Sequence, residues 1–138
     1  MDNTFRDFLD YYMSVWKASS LIDLKKIIST DFKAREISRG EIVDFGYEES
    51  ILGWEQGFNF VKENNAEWIL NEISIFPLRE DERLVVLAAS MVIDDKNLDT
   101  ANLFFQTFKK NSHHEWKLVR SYIEAGVPNA NISEMRFS

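Results

Sequence analysis

Hydrophobic residues in the first half of the chain recur at the three- and four-residue spacing of amphipathic helices. The first run predicts a helix over residues 2–17. A second helix, for which Ser20 is the candidate N-cap, is predicted to end near Ser29. A third run predicts a helix over residues 48–63. The first half of the chain is therefore expected to be mainly helical.

The third predicted helix carries two glycines, Gly53 and Gly57. Residues four apart lie on the same side of a helix, so these glycines leave one face without side chains. We expect this bare face to pack closely against a neighbouring element.

Segments rich in β-branched and aromatic residues alternate with polar turns elsewhere in the chain. The predicted strands cover residues 31–38, 41–45, 67–76, 84–94, 101–110 and 115–125. The first two are joined by the turn Arg39-Gly40. The last four are joined by short connections, which favour antiparallel neighbours because a parallel crossover needs roughly a dozen residues. The order ααββαββββ predicts one α+β domain over residues 1–126 and a polar tail over residues 127–138.

Composition excludes several classes of function. The 138 residues include 11 Phe, 4 Trp and 4 Tyr, which predict a core built from large rings. The formal net charge of −7 argues against a nucleic-acid partner, because affinity for nucleic acid comes mostly from phosphate neutralisation by Lys and Arg. The chain has no Cys, which excludes disulfides and thiolate chemistry.

Targeting features favour a cytoplasmic protein without a membrane partner. Acidic residues, Asp7 and Asp10, occur where a secretion signal needs a basic region followed by an apolar one. The longest nearly apolar run, residues 84–93, is about half the length that spans a bilayer.

Both alternating faces of the run over residues 84–93 are apolar. This pattern is typical of a strand covered on both sides, and it predicts a homodimer that packs sheet on sheet.

Neither a metal nor a cofactor is expected. His113 and His114 are adjacent in a polar turn, not spaced as metal ligands. Residues 94–99 resemble a calcium loop only in their first acids, because a lysine and a leucine occupy ligand positions and Asp99 stands where the sharp turn needs glycine. The sequence has no Gly-rich phosphate loop and no nucleophile elbow.

Two segments, taken with the element order, resemble a known superfamily. The first runs from Trp16 to Phe32, and the second is residues 116–119, Trp-Lys-Leu-Val. They resemble the superfamily of nuclear transport factor two, the SnoaL-like polyketide cyclases, the scytalone dehydratases and the ketosteroid isomerases. The resemblance covers residues 5–125. It implies a cystatin-like cone, in which three helices pack on a curved, mostly antiparallel six-stranded sheet around an apolar pocket.

Strand alternation indicates which side chains face that pocket. Phe32 and Glu36 share one face of the first predicted strand. Arg120 and Tyr122 share a face of the last strand with Trp116, so they face inward if Trp116 packs against the helices. The candidate ligand contacts are Trp16, Phe32, Trp54, Arg120 and Tyr122.

The resemblance to ketosteroid isomerases implies a candidate catalytic pair. Alignment at residues 29–31 puts Glu36 at the position of the carboxylate base and Tyr12 at that of the oxyanion donor. The second donor of that family, a protonated aspartate, has no counterpart, because residues 101–103 are Ala-Asn-Leu. Glu36 and Arg120 either pair directly, which keeps the acid ionised, or lie more than about 6 Å apart, which leaves Glu36 available as a base.

Three functions are open at this point. The first is a SnoaL-like domain that binds a small apolar or carbonyl-containing ligand without turnover. The second is a cofactor-independent isomerase, cyclase or dehydratase that abstracts a proton next to a carbonyl, with Glu36 as base and Tyr12 as electrophile. The third is a non-catalytic, dimeric protein-interaction module.

Overall fold

The computed structural model describes residues 3–135. The helices are α1 (Asn3–Lys17), α2 (Leu21–Ile27), α3 (Tyr47–Glu63) and α4 (Asn129–Ile132). The strands are β1 (Ile28–Ser38), β2 (Glu41–Phe45), β3 (Ala66–Arg79), β4 (Glu82–Ile93), β5 (Lys96–Asn97), β6 (Thr100–Lys110) and β7 (Trp116–Pro128). Every predicted element is present, and the structure adds the short strand β5 and the short helix α4.

The strands form one mixed, largely antiparallel sheet. Their order is β2-β1-β7-β6-β4-β3, and β5 pairs with β4. β1 and β7 are parallel, whereas the other neighbours are antiparallel. The predicted α+β fold is confirmed, but the sheet has seven strands and not six, because Lys96 and Asn97 pair with Ile93 and Val92 of β4.

Local signals explain where the first elements begin and end. Ser20 is the N-cap of α2, as predicted, but its hydroxyl donates to the carboxylate of Asp23 at 2.8 Å and accepts no hydrogen bond from the backbone N–H groups of the helix. Arg39 and Gly40 have φ values of 53° and 80°, which are the positive values of the tight turns that match the twist of a hairpin. β1 and β2 therefore pair closely, from Ala34 opposite Phe45 onward.

Helix α1 lies against one face of the sheet, which we call the inner face. Its buried side chains recur at helical spacing and are Phe5, Leu9, Tyr12, Val15 and Trp16. Phe108 of β6 meets the ring of Tyr12 edge-on at 5.2 Å, and Phe104 meets Trp16 at 5.1 Å. Burial of each such side chain contributes about 2–3 kcal/mol, so this stripe fixes the helix across the sheet.

A bulge in β7 changes which side chains face inward. Thr107 pairs with Arg120, yet the next residue of β6, Phe108, pairs with Leu118, so Val119 is an extra residue on β7. Leu118 and Ser121 are both buried, three positions apart. One inserted residue moves every later side chain to the opposite face, and Arg120 therefore faces outward.

The chain's last described residues cover part of the opposite, outer face of the sheet. β7 runs past the predicted boundary at residue 126 to Pro128, and α4 follows directly. Ile132 is buried against Val86, Ala88 and Leu103. Residues 127–135 of the predicted tail thus pack on the domain, and they cover one of the two apolar faces of β4.

Candidate functional site

A cavity of about 600 Å³ lies between the inner face of the sheet and helices α1 and α3. Ligand-binding cavities for drug-sized molecules have volumes of roughly 300–1,000 Å³. The aromatic side chains in its wall are Trp16, Phe32, Phe45, Trp54, Trp68 and Phe104. The cavity therefore has the size and the apolar wall of a small-molecule site.

Small residues on α3 keep the space open. Gly53 and Gly57 both line the cavity. A Cβ atom at Gly53 would meet nothing within 4 Å, and one at Gly57 would lie 3.7 Å from the ring of Trp68. The expectation of close packing is therefore wrong at Gly53, where the bare helix face meets the cavity, whereas Gly57 lies beside the Trp68 ring.

Gln106 of β6 is a buried polar group in this aromatic wall. It is 1 % exposed, and its Oε1 accepts a hydrogen bond of 2.8 Å from the hydroxyl of Tyr12. Burial raises the pKa of Tyr12 well above its ordinary value, so the hydroxyl stays protonated and donates. This contact occupies the carbonyl end of the amide and leaves Nε2 of Gln106 as its donor end.

Two further polar atoms of cavity-lining residues have no partner among the described residues. They are Nε1 of Trp16 and Oγ of Ser121. Buried polar atoms in proteins are nearly always hydrogen-bonded, and leaving one unsatisfied costs about 1–3 kcal/mol. Trp68 differs, because its Nε1 donates to Oγ of Ser19 at 3.0 Å.

Three carboxylates also line the cavity: Glu36, Asp44 and Glu49. Asp44 accepts a hydrogen bond of 2.6 Å from Nε of Arg35, which holds the pKa of Asp44 below its ordinary value. Oε1 of Glu49 accepts from the backbone N–H of Gly46, the N-cap residue of α3, at 3.3 Å.

The structure places part of the predicted site together. Trp16, Phe32 and Trp54 all line the cavity, as does Glu36. Tyr12 is fully buried but is not in the wall, because its hydroxyl is directed to Gln106 behind it. The structure therefore does not place Tyr12 in the cavity wall, where the predicted oxyanion donor would need to be.

The prediction that Arg120 faces the cavity is also wrong. The bulge at Val119 turns Arg120 to the outer face, where its Nη2 donates to Oε2 of Glu82 at 2.9 Å. Oε1 of the same carboxylate accepts from Nη1 of Arg79 at 2.9 Å. The hydrogen bond from Arg120 lowers the pKa of Glu82. Burial opposes this effect and Arg79 adds to it, so the pKa of Glu82 stays below its ordinary value. Arg120 therefore pairs with Glu82 and not with Glu36.

Tyr122 follows Arg120 to the outer face. It is 40 % exposed, and its hydroxyl donates to Oε2 of Glu124 at 2.6 Å. That hydrogen bond raises the pKa of Tyr122. The expectation that Tyr122 faces the pocket is wrong for the same reason as for Arg120, because both residues follow the extra residue Val119.

Sequence reasoning missed several residues of the wall, among them Trp68, Gln106 and Ser121. A signal for Gln106 was present, because it lies between Phe104 and Phe108 on the inner face of β6 and is polar in an aromatic series. Ser121 gave no signal, because the alternation counted from Trp116 places it on the outer face.

Residues 3–135 contain no group of three or more acidic or histidine side chains placed to hold a metal ion. Within the same residues, no helix has the length and apolar character needed to cross a membrane.

Comparison with known proteins identifies the fold. No family model and no curated protein matches the sequence. A Nostoc punctiforme domain with a cystatin-like fold superposes with a TM-score of 0.69 at 11% identity, over 96% of this chain and 81% of that chain. A nuclear transport factor 2-like protein of Pseudomonas putida superposes with a TM-score of 0.69 at 9% identity, over 94% of this chain and 89% of that chain. A nuclear transport factor 2-like protein of Shewanella oneidensis superposes with a TM-score of 0.66 at 15% identity, over 88% of this chain and 97% of that chain.

Those three structures belong to proteins described as having unknown function. The superposition covers nearly the whole chain, so this protein has the cystatin-like, nuclear transport factor 2-like fold. The fold that the sequence resemblance implied is thereby confirmed. At such low identity the comparison carries the fold alone.

Proposed function

We propose that this protein is a small-molecule-binding domain of the SnoaL-like type, which holds a small apolar or carbonyl-containing ligand in its inner cavity without turnover. The observation that carries the proposal is the cavity itself, which has a volume of about 600 Å³ and six aromatic side chains in its wall. The apolar body of a ligand would bury the surrounding rings.

The second candidate function is proton abstraction next to a carbonyl. It is favoured by Glu36, a cavity-lining carboxylate with no hydrogen bond or ion pair to any of the described residues. Tyr12 cannot be the direct electrophile in this arrangement, because its hydroxyl donates to Gln106. Gln106 would take that role through Nε2, oriented by Tyr12. An amide donor is weaker than the protonated acid of the ketosteroid isomerases, so we rank binding first.

Native mass spectrometry of freshly purified protein tests the first candidate. We expect an adduct that is absent after denaturation, and an extracted compound that is small and largely apolar. Gly53→Leu is the matched variant, because its side chain enters the open cavity from a helix that leucine stabilises. An adduct of equal abundance in both proteins would contradict binding in this cavity.

Glu36→Gln separates binding from turnover. If the protein is an enzyme, this variant still binds the extracted compound but no longer exchanges its α-proton for deuterium. If the protein only binds, neither the wild type nor the variant catalyses exchange. The exchange is followed by proton NMR in deuterated buffer.

The same proposal includes a homodimer formed through the outer face of the sheet. Supporting it, Phe76 and Tyr122 are 37% and 40% exposed, and Leu84 and Phe105 lie half-buried between them. These four residues are called the outer apolar patch below. A dimer alone would also serve a non-catalytic protein-interaction module, which is the third candidate.

The cytoplasmic location stays a prediction from the sequence.

A further inference from the structure

The charges in the cavity wall are all of one sign. Glu36, Asp44 and Glu49 line it, whereas none of the lysine, arginine or histidine residues within 3–135 does. A wall that carries carboxylates only attracts positively charged ligand groups and disfavours carboxylates and phosphates.

Glu36 differs from the other two acids in having no partner. Asp44 is bound by Arg35 at 2.6 Å, and Glu49 accepts from the backbone of Gly46. Glu36 is half-buried, and its carboxylate makes no hydrogen bond or ion pair with any residue in the described range. Its carboxylate is therefore the one in the wall that is free to take a cation from a ligand.

The aromatic wall favours the same charge. Trp54 and Trp68 are half-buried, and both line the cavity. The face of an indole ring is the most favourable of the aromatic surfaces for a cation, and an alkylammonium group is the ligand that uses both a carboxylate and an indole. Trp16 packs edge-on against Trp54 at 4.7 Å, which holds the Trp54 ring in place.

From these observations we infer that the cavity binds an organic amine: an apolar, ring-sized body with an ammonium group directed to Glu36. The inference rests on the proposed binding function and names its ligand class.

Three probes that share one body test the assignment: 1-naphthylmethylamine, 1-naphthalenemethanol and 1-naphthoic acid. They carry a cation, a neutral hydroxyl and an anion, respectively, at neutral pH. Isothermal titration calorimetry should give at least about fivefold tighter binding for the amine than for the alcohol, and the weakest binding for the acid.

Two variants locate the effect. Glu36→Gln should reduce the affinity for the amine to that for the alcohol and leave alcohol binding unchanged. Glu48→Gln is the matched control, because Glu48 is an exposed acid of α3 outside the cavity wall and its loss changes the net charge equally. It should keep the full preference for the amine. Circular dichroism and thermal melts confirm that both variants are folded.

The outcomes separate this inference from the function on which it rests. Alcohol binding without any advantage for the amine would overturn the inference and leave the binding function standing. An amine advantage that persists in Glu36→Gln would overturn the assignment to Glu36. Absence of binding by all three probes, together with absence of a co-purified compound, would count against the binding function itself.

Discussion

Tyr12 of the first helix donates its hydroxyl hydrogen to Oε1 of Gln106, 94 residues further along the chain, at 2.8 Å. Both side chains are almost completely buried, at 0% and 1% exposure. The bond joins α1 to the middle of β6 directly behind the cavity. It satisfies a tyrosine in an aromatic core and turns the donor end of the Gln106 amide away from Tyr12.

Tyr12→Phe should lower the free energy of unfolding by about 1–2 kcal/mol, because Oε1 of Gln106 would lose its hydrogen bond while staying buried. Chemical denaturation followed by tryptophan fluorescence measures the change. Tyr11→Phe is the matched control, since the neighbouring Tyr11 is 49% exposed, and it should be nearly neutral. Equal effects of the two substitutions would show that the buried bond adds nothing.

Glu82 gives a prediction about pH. Its pKa is lowered in the folded state, first by Arg120, so the folded protein binds fewer protons there than the unfolded chain. The stability that this ionised carboxylate adds is present at pH values above 4.5, the ordinary pKa of the group, and is lost as the pH falls through its lowered pKa in the folded protein. Glu82→Gln should lower the free energy of unfolding by about 1–2 kcal/mol at neutral pH. The difference should shrink as the pH falls below 4.5.

Urea denaturation at several pH values from neutral to acidic measures this difference. Glu80→Gln, which removes an exposed acid two residues away, should follow the wild type at every pH. A cost of Glu82→Gln that does not shrink with acidification would contradict the role of the ionised carboxylate.

The outer apolar patch predicts the assembly state. Light scattering at low micromolar concentration should give the mass of a dimer, because exposed rings on an open sheet face favour an isologous contact. Tyr122→Arg should shift the equilibrium toward the monomer. Ile22→Arg, a similar change at a residue that is 74% exposed on α2, should not. A monomeric mass for the wild type would contradict the dimer.

The order of elements was predictable because its signals are local. Helical spacing up to residue 63 and polar turns after it depend only on neighbouring residues, and each predicted helix and strand is found within a few residues of its expected ends. The short strand β5 was not predicted, since its pairing to β4 depends on how the turn at residues 94–99 folds back.

The site was less predictable because one inserted residue moves all later side chains of a strand to the other face of the sheet. Val119 is apolar, and no glycine or proline marks it as a bulge, so simple alternation from Trp116 sent Arg120 and Tyr122 inward. Alternation was reliable on β1, where Phe32 and Glu36 do share the cavity wall. The partner of Tyr12 was beyond reach, because a pairing over 94 residues leaves no local pattern.

The most direct measurement of the central claim, that the inner cavity binds a ligand, compares two substitutions at Gly53 by calorimetric titration with 1-naphthalenemethanol. Gly53→Ala adds one methyl group where a Cβ meets nothing within 4 Å, and it should stabilise α3 by about 0.5–1 kcal/mol and still bind. Gly53→Leu should be folded and as stable as Gly53→Ala. Its affinity for the alcohol should be at least about tenfold lower, because the leucine side chain occupies the cavity. Undiminished binding by a folded Gly53→Leu protein would contradict the account.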